Sequence, residues 1–186
     1  MNYKVVKLNE ICESMYQGIN TSTRKIDYVN RGISIISGSD IYDKYINFNK
    51  SKNINEEVYN LYKQKYNPKK GDLLFCNIGS IGKVFVLQSD ANFLISWNIF
   101  LIRLNQNKCM PEYLKWVLIY FNRINKYDDR SKGGAIKFIS KKNLSNMEIP
   151  IYELNKQKQI VHILNNFEII INNKKDQPKY LRIQSS

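Results

Sequence analysis

A chain that catalyses must bring acids, bases or nucleophiles together, and this one has few to bring. His162 is its single histidine, which leaves no cluster for a metal and little room for a Ser/His/Asp arrangement. It falls in a helical stretch and reads as a helix-surface residue. No Asp or Glu has Lys two positions further on, so the commonest nuclease core signature is missing. Pro68, Pro111, Pro150 and Pro178 are all isolated, which excludes a Pro-Pro-Tyr amino-methyltransferase motif. Cys12, Cys76 and Cys109 are odd in number and widely spaced, which fits neither a disulfide framework nor a zinc site. Gly79-Ser80-Ile81-Gly82-Lys83 has the glycines and lysine of a phosphate cradle. A P-loop, however, runs from strand into helix, whereas this segment joins two apparent strands. A turn with Gly79 and Gly82 at positive φ is the better reading. The sequence predicts a chain that is not an enzyme and that holds no metal or cofactor.

What the chain does carry is positive charge. Among 186 residues, 29 Lys and Arg face 16 Asp and Glu, a formal net charge of +13. Such an excess attracts phosphate backbones. Part of it is discounted, because Lys outnumbers Arg 23 to 6 amid abundant Asn and Ile, as drift in an A/T-rich coding sequence would give. Apolar residues at 43% and charged residues at 24% describe a folded domain. The longest apolar runs, three to six residues, fall far short of the roughly 20 that span a bilayer. The opening MNYKVVKLNE has no apolar signal segment. Together with the unpaired cysteines this predicts a cytoplasmic protein with no membrane partner.

The elements that must position any contact follow from the patterning. Residues 3–11 predict a short strand and a helical turn, 15–25 a polar loop, and 32–38 a strand between glycines. Residues 42–57 are Asn- and Lys-rich and read as a loop or irregular excursion. Residues 73–76 and 84–87 predict a hairpin, and 93–104 one or two strands broken at Ser96-Trp97-Asn98. Five or six strands result. At Pro111 the pattern changes to a helix, with Leu114, Val117, Leu118, Phe121 and Ile124 on one face. Residues 128–134 read as a polar loop, 135–139 as a last strand, Ser140 as a helix cap and 147–151 as an extended exit. Ile160, Ile163, Leu164, Phe167, Ile170 and Ile171 then recur as the seam of a two-stranded coiled coil. The predicted fold is α+β: a twisted mixed sheet domain over residues 1–153, a dimerisation and spacer helix over 154–177, and a frayed tail over 178–186.

Taken in order, these pieces resemble the DNA specificity subunit of Type I restriction-modification systems, as one target recognition domain followed by one conserved helical region. Four stretches carry the resemblance: Lys4 to Ile11; Gly32-Ile33 to Asp40-Ile41; Gly71-Asp72-Leu73-Leu74-Phe75 through Gly79-Ser80-Ile81-Gly82; and Ile149-Pro150-Ile151 followed by Leu154, Gln159 and Ile160. The resemblance as a whole spans residues 3–175. Two features depart from the family pattern. The exit motif lacks its second proline, with Tyr152 and Glu153 following Ile151, and there is one copy of each region where full-length members carry two. The resemblance implies that each recognition domain reads half of a gapped DNA site. The helical regions would pair antiparallel, set the gap and dock the methylation subunits. A single-domain chain would then act as a homodimer on an inverted repeat, partnered by the methyltransferase subunit and the restriction subunit.

Base reading needs Arg, Asn, Gln, Ser or Lys on loop tips, with other cations on phosphates. The loop 17–25 supplies Arg24 as a base reader, with Thr21, Ser22, Thr23 and Lys25 on the backbone. Lys83 is a phosphate candidate beside its glycine turn. Ser96 and Asn98 flank Trp97, itself read as core. Arg130, Ser131, Lys132 and Lys137 form a second patch around Gly133-Gly134. Tyr42, Tyr45, Tyr59, Tyr62 and Tyr66 are read as shared between groove lining and ordinary packing. Two other classes stay open on sequence alone: a dimerisation or regulatory module with non-specific DNA affinity, and a small nuclease with an unfamiliar site.

Overall fold

Consecutive side chains of a strand point to opposite faces, and in the middle of this protein both faces are covered. The computed structural model describes residues 2–66, 68–127 and 138–176, the last five by backbone alone. Its central sheet has the order β2 (Cys12–Gln17), β8 (Ile99–Leu104), β5 (Leu73–Cys76), β6 (Val84–Val86), every pair antiparallel. Leu73 and Phe75 of β5 and Phe100, Ile102 and Leu104 of β8 enter one core. Leu74, Cys76, Ile99 and Leu101 enter a second on the opposite side. That double burial explains why β5 and β8 read as nearly unbroken apolar runs.

The first core is closed by α1 (Leu8–Ile11), α3 (Pro111–Arg123), α4 (Lys141–Ser145) and the start of α5 (Leu154–Asp176), through Leu8, Leu114, Leu118, Leu144 and Val161. The second is closed by a small sheet, β4 (Lys52–Ile54), β3 (Ile33–Ile36), β7 (Leu94–Ile95), and by α2 (Glu56–Tyr66). In that sheet β3 and β7 run parallel. A separate antiparallel pair, β1 (Lys4–Lys7) with β9 (Glu148–Ile151), joins the start of the chain to the segment leading into α5. The architecture is α+β with a long C-terminal helix, as expected.

Three expectations change. The loop predicted over residues 15–25 begins later, because β2 runs to Gln17 and pairs with β8. The excursion over 42–57 contains a 3-10 turn at Phe48–Lys50, strand β4 and the first turn of α2. The Asn55 side chain caps α2, accepting from the Val58 N–H at 2.9 Å. Leu61 lies on its outer face, which blurs the periodicity. Nine strands are described against the five or six expected, because short β4 and β7 carry too few residues to alternate visibly.

Just past the predicted division at residue 153, the start of α5 packs into the first core. Gln157 of α5 is fully buried. Its Oε1 accepts from the Met110 N–H at 2.9 Å, and its Nε2 donates to the carbonyls of Lys108 and Tyr152 at 3.0 and 2.7 Å. Trp116 Nε1 of α3 donates to Asn165 Oδ1 at 2.9 Å. The first half of α5 is therefore part of the domain core. Gln159, singled out in the sequence, is exposed, and Gln157 three residues before Ile160 is the buried latch.

Candidate nucleic-acid interface

Where β2 leaves the central sheet the chain passes very close to the β7–β8 turn. A Cβ on Gly18 would lie 2.2 Å from the Ser96 carbonyl oxygen, so no other residue fits. Ile19 then bridges to Ser96, with its N–H donating to the Ile95 carbonyl at 2.8 Å. Residues 20–25 turn back on themselves: the Arg24 N–H donates to the Asn20 carbonyl and the Ile26 N–H to the Thr21 carbonyl, at 3.1 and 2.9 Å. Ser22, Thr23, Arg24 and Lys25 are exposed on this loop. Lys25 sits at φ 51°, a left-handed conformation that closes the turn.

Thr21 differs from its neighbours on the loop. It is buried, and its hydroxyl shares a 2.7 Å hydrogen bond with the Tyr28 hydroxyl. It anchors the loop. Tyr28 in turn carries the Lys52 ammonium over its ring, 4.3 Å from the centroid.

Lys83 is half-buried. Its ammonium donates to the carbonyls of Ile41 and Gly38 at 2.8 and 3.5 Å. It ties the segment after β3 to the β5–β6 turn. Gly79 and Gly82 adopt φ of 73° and 79°, the turn conformation expected. A Cβ on Gly82 would also meet Asn122 of α3 at 2.6 Å. Cys76 lies below this tie, and burial pushes its thiol up to about 11 against the opposing pull of Lys83.

The Lys83 tie supports a hairpin closed by an Ile41–Ile46 bridge and a Tyr42 N–H to Tyr45 carbonyl bond of 2.9 Å. Buried Asp40 braces its base, accepting from the Ser37 N–H and hydroxyl at 2.8 and 2.9 Å. The Tyr42 and Tyr45 rings stack with centroids 4.8 Å apart. Lys50 donates to the Tyr42 hydroxyl at 3.2 Å, and that bond raises the affinity of its ammonium for the proton. Tyr59 and Tyr62 pack against the second core and Tyr66 is buried in it. The tyrosines thus divide into a stacked, partly exposed pair and a packed trio.

Ser96 and Asn98 occupy the β7–β8 turn, both half-buried. The Asn98 side chain points inward, accepting from the Gly38 N–H at 3.4 Å. Trp97, read as core, is 42% exposed. The signal that could have placed it was present: an aromatic between Ser and Asn, where two apolar runs break, is a turn tip. The structure gathers the 20–25 loop and the 96–99 turn through Ile19, and the 38–46 segment through Asn98. Arg130, Ser131, Lys132 and Lys137 lie outside the described residues.

On α5 the predicted seam divides. Ile160 and Leu164 are half-buried, and Ile160 packs on the first core. Leu164, Phe167 and Ile171 line an open groove of about 580 Å³ with Trp116 and Ile119 of α3. Ile163, Phe167, Ile170 and Ile171 remain about half exposed. Ile160 thus also serves packing within the chain, and Leu164 faces the groove beside α3. Among the described residues no group of His, Cys, Asp and Glu could hold a metal ion, and no described helix is long and apolar enough to cross a membrane.

Residues 1–181 match the family model described as the Type I restriction modification DNA specificity domain. The chain is 31% identical over 177 residues to a sequence named as the MjaX type I restriction enzyme specificity subunit of Methanocaldococcus jannaschii, covering 91% of this chain and 40% of that one. It is 33% identical over 120 residues to one named as specificity subunit S.HindORF215P of Haemophilus influenzae, covering 64% and 30%. The solved HsdS subunit from Thermoanaerobacter tengcongensis superposes with a TM-score of 0.68 at 19% identity, over 96% of this chain and 40% of that one. At that identity the likeness shows the fold. The chain spans two-fifths or less of the length of these relatives.

Proposed function

The chain belongs to the Type I restriction modification DNA specificity domain family, and from that premise we propose that it recognises double-stranded DNA sequence-specifically. It confers that specificity on separate methyltransferase and restriction subunits, which do the chemistry, and works as a half-specificity unit that dimerises through α5. The observation that carries the reading is the convergence of exposed loop tips on one rigid scaffold. The Trp97 turn is bonded to both sheets, the loop bearing Arg24 and Lys25 leaves that turn through Ile19, and the Lys83 side chain ties down the hairpin of the stacked Tyr42–Tyr45 pair. Side chains held this way can meet base edges without first being ordered. A net charge of +13 supplies the attraction to phosphate.

Duplex selection followed by anisotropy titration tests it. The chain should prefer one family of sequences, and Arg24→Ala should weaken the preferred duplex by about tenfold while leaving unrelated duplexes nearly unchanged. Equal affinity for every duplex, lost evenly in the variant, would instead fit a basic module without sequence reading. Divalent-dependent cleavage by the pure chain would overturn the non-enzyme reading.

A further inference from the structure

The Ser96–Ile99 turn is held by three other segments of the chain and closed by a bond of its own. The Ser96 N–H donates to the Ile36 carbonyl at 2.7 Å, and the Ile99 N–H closes the turn on the Ser96 carbonyl at 3.0 Å. The Trp97 N–H donates to the Ile19 carbonyl at 3.0 Å, and its own carbonyl accepts from Gln17 Nε2 at 2.8 Å. The Asn98 carbonyl accepts from the Asn77 N–H at 3.1 Å. Of the two residues at the tip, Asn98 turns inward onto Gly38 and Trp97 turns out.

Trp97 presents an indole, 42% exposed, from a backbone that is already fixed. Among the described residues its indole N–H donates to no protein group, and no ring or cation packs on it. Trp116, the other tryptophan, is used differently: its N–H is bonded to Asn165 and Lys115 lies 5.4 Å from its ring. A large aromatic left out of the core and locked at a turn tip has little ordering cost left to meet on binding. The segment running on from Ile19 is polar and cationic, from Asn20 through Arg24 and Lys25, which is the surrounding of a nucleic-acid contact and not of an apolar protein interface.

We propose that Trp97 is a specificity-determining residue that contacts the bases, packing its indole against or between them at a deformable step of the bound duplex. The inference rests on the DNA-recognition reading above and goes beyond it by assigning non-ionic readout to one residue. The contact adds selectivity without adding to the salt dependence, since it neutralises no phosphate.

The test uses the full chain carrying Trp116→Phe, in which Trp97 is the sole tryptophan. Binding to the preferred duplex is followed by anisotropy of a label on the DNA, while tryptophan emission and acrylamide quenching are read in parallel. The expected result is quenched emission and a lower acrylamide quenching constant at saturating duplex. In the chain that keeps Trp116, Trp97→Ala should weaken the preferred duplex by about tenfold or more, as loss of an aromatic–base contact does, with an unchanged salt slope. Saturable binding with unaltered Trp97 emission and quenching would overturn this inference alone. A flat anisotropy trace for every duplex would overturn the DNA reading and this inference with it.

Discussion

Asp72 and Arg103 meet through two parallel contacts, Nε to Oδ1 at 2.8 Å and Nη2 to Oδ2 at 2.6 Å, and the same carboxylate accepts from the Lys69 N–H at 2.9 Å. Asp72 belongs to the Gly71-Asp72 stretch that carried much of the resemblance, and its work is structural. Lys83 and Thr21 teach the same lesson, since both have the right chemistry for DNA and both are occupied within the fold. Burial also sets the three thiols. It pushes Cys12 and Cys109 up to about 12 and Cys76 to about 11, from an ordinary 9.0. The native state then holds protons that the unfolded chain releases above pH 9, so stability is complete below that pH and falls as it climbs toward 12. Each thiol contributes a slope of up to about 1.4 kcal/mol per pH unit. Urea midpoints should be level below pH 9 and lower at pH 11. A midpoint unchanged at pH 11 would refute the assignment.

α5 is one helix with two environments. Gln157, Val161 and Leu164 turn toward the domain, while Ile163, Phe167 and Ile170, spaced by four and three residues, leave apolar surface in water. An exposed stripe at that spacing fits a second helix, and a second copy of this chain supplies one by symmetry. Light scattering should give a mass of about 44 kDa, twice the 22.0 kDa chain, at the upper end of a concentration series. The double variant Ile163→Lys/Ile170→Lys should stay at the single-chain mass, because two ammonium groups cannot be buried without partners. The domain should remain folded, since neither side chain enters its core. A wild-type chain that stays monomeric at every concentration would sink the homodimer and leave the stripe to a different partner.

Across the whole molecule, the start of α5 is continuous with the packing of the residues before it. The β1–β9 pair and the Gln157 latch bind the beginning of α5 to strands and loops far away in sequence. Removing residues 154–186 should therefore destabilise what remains. It uncovers the first core where Val161 packs and strips the Met110 N–H and the Lys108 and Tyr152 carbonyls of their partners. The loss is about 3 kcal/mol or more from unpaired backbone groups and lost burial together. A truncation after Asn166 keeps the latch, Val161 and the Trp116–Asn165 bond, and should melt close to the full chain. Equal melting temperatures for both truncations would show that the two parts fold independently.

Local patterning was enough to read α3, α5 and the longer strands. Pro111 at a helix start, Ser140 as a cap, the paired glycines at 79 and 82 and the apolar spacing of α3 and α5 each obey rules that act over a few residues. The class of fold and the family were legible in the same way, because ordered short motifs survive as text. The site was less so. Whether Thr21, Lys83 or Trp97 faces solvent depends on which distant segment lies against it: Tyr28, Ile41 or Ile19. Helix α2 escaped because Leu61 faces out, and the intramolecular half of the α5 seam escaped because a helix cannot record which of its apolar residues its own domain will cover. The sequence alone determined the charge, the stripe and the elements whose apolar spacing is regular. Tertiary structure alone decided which polar and aromatic groups the fold consumes and which it leaves for a partner, since burial is a property of chain segments brought together from far apart.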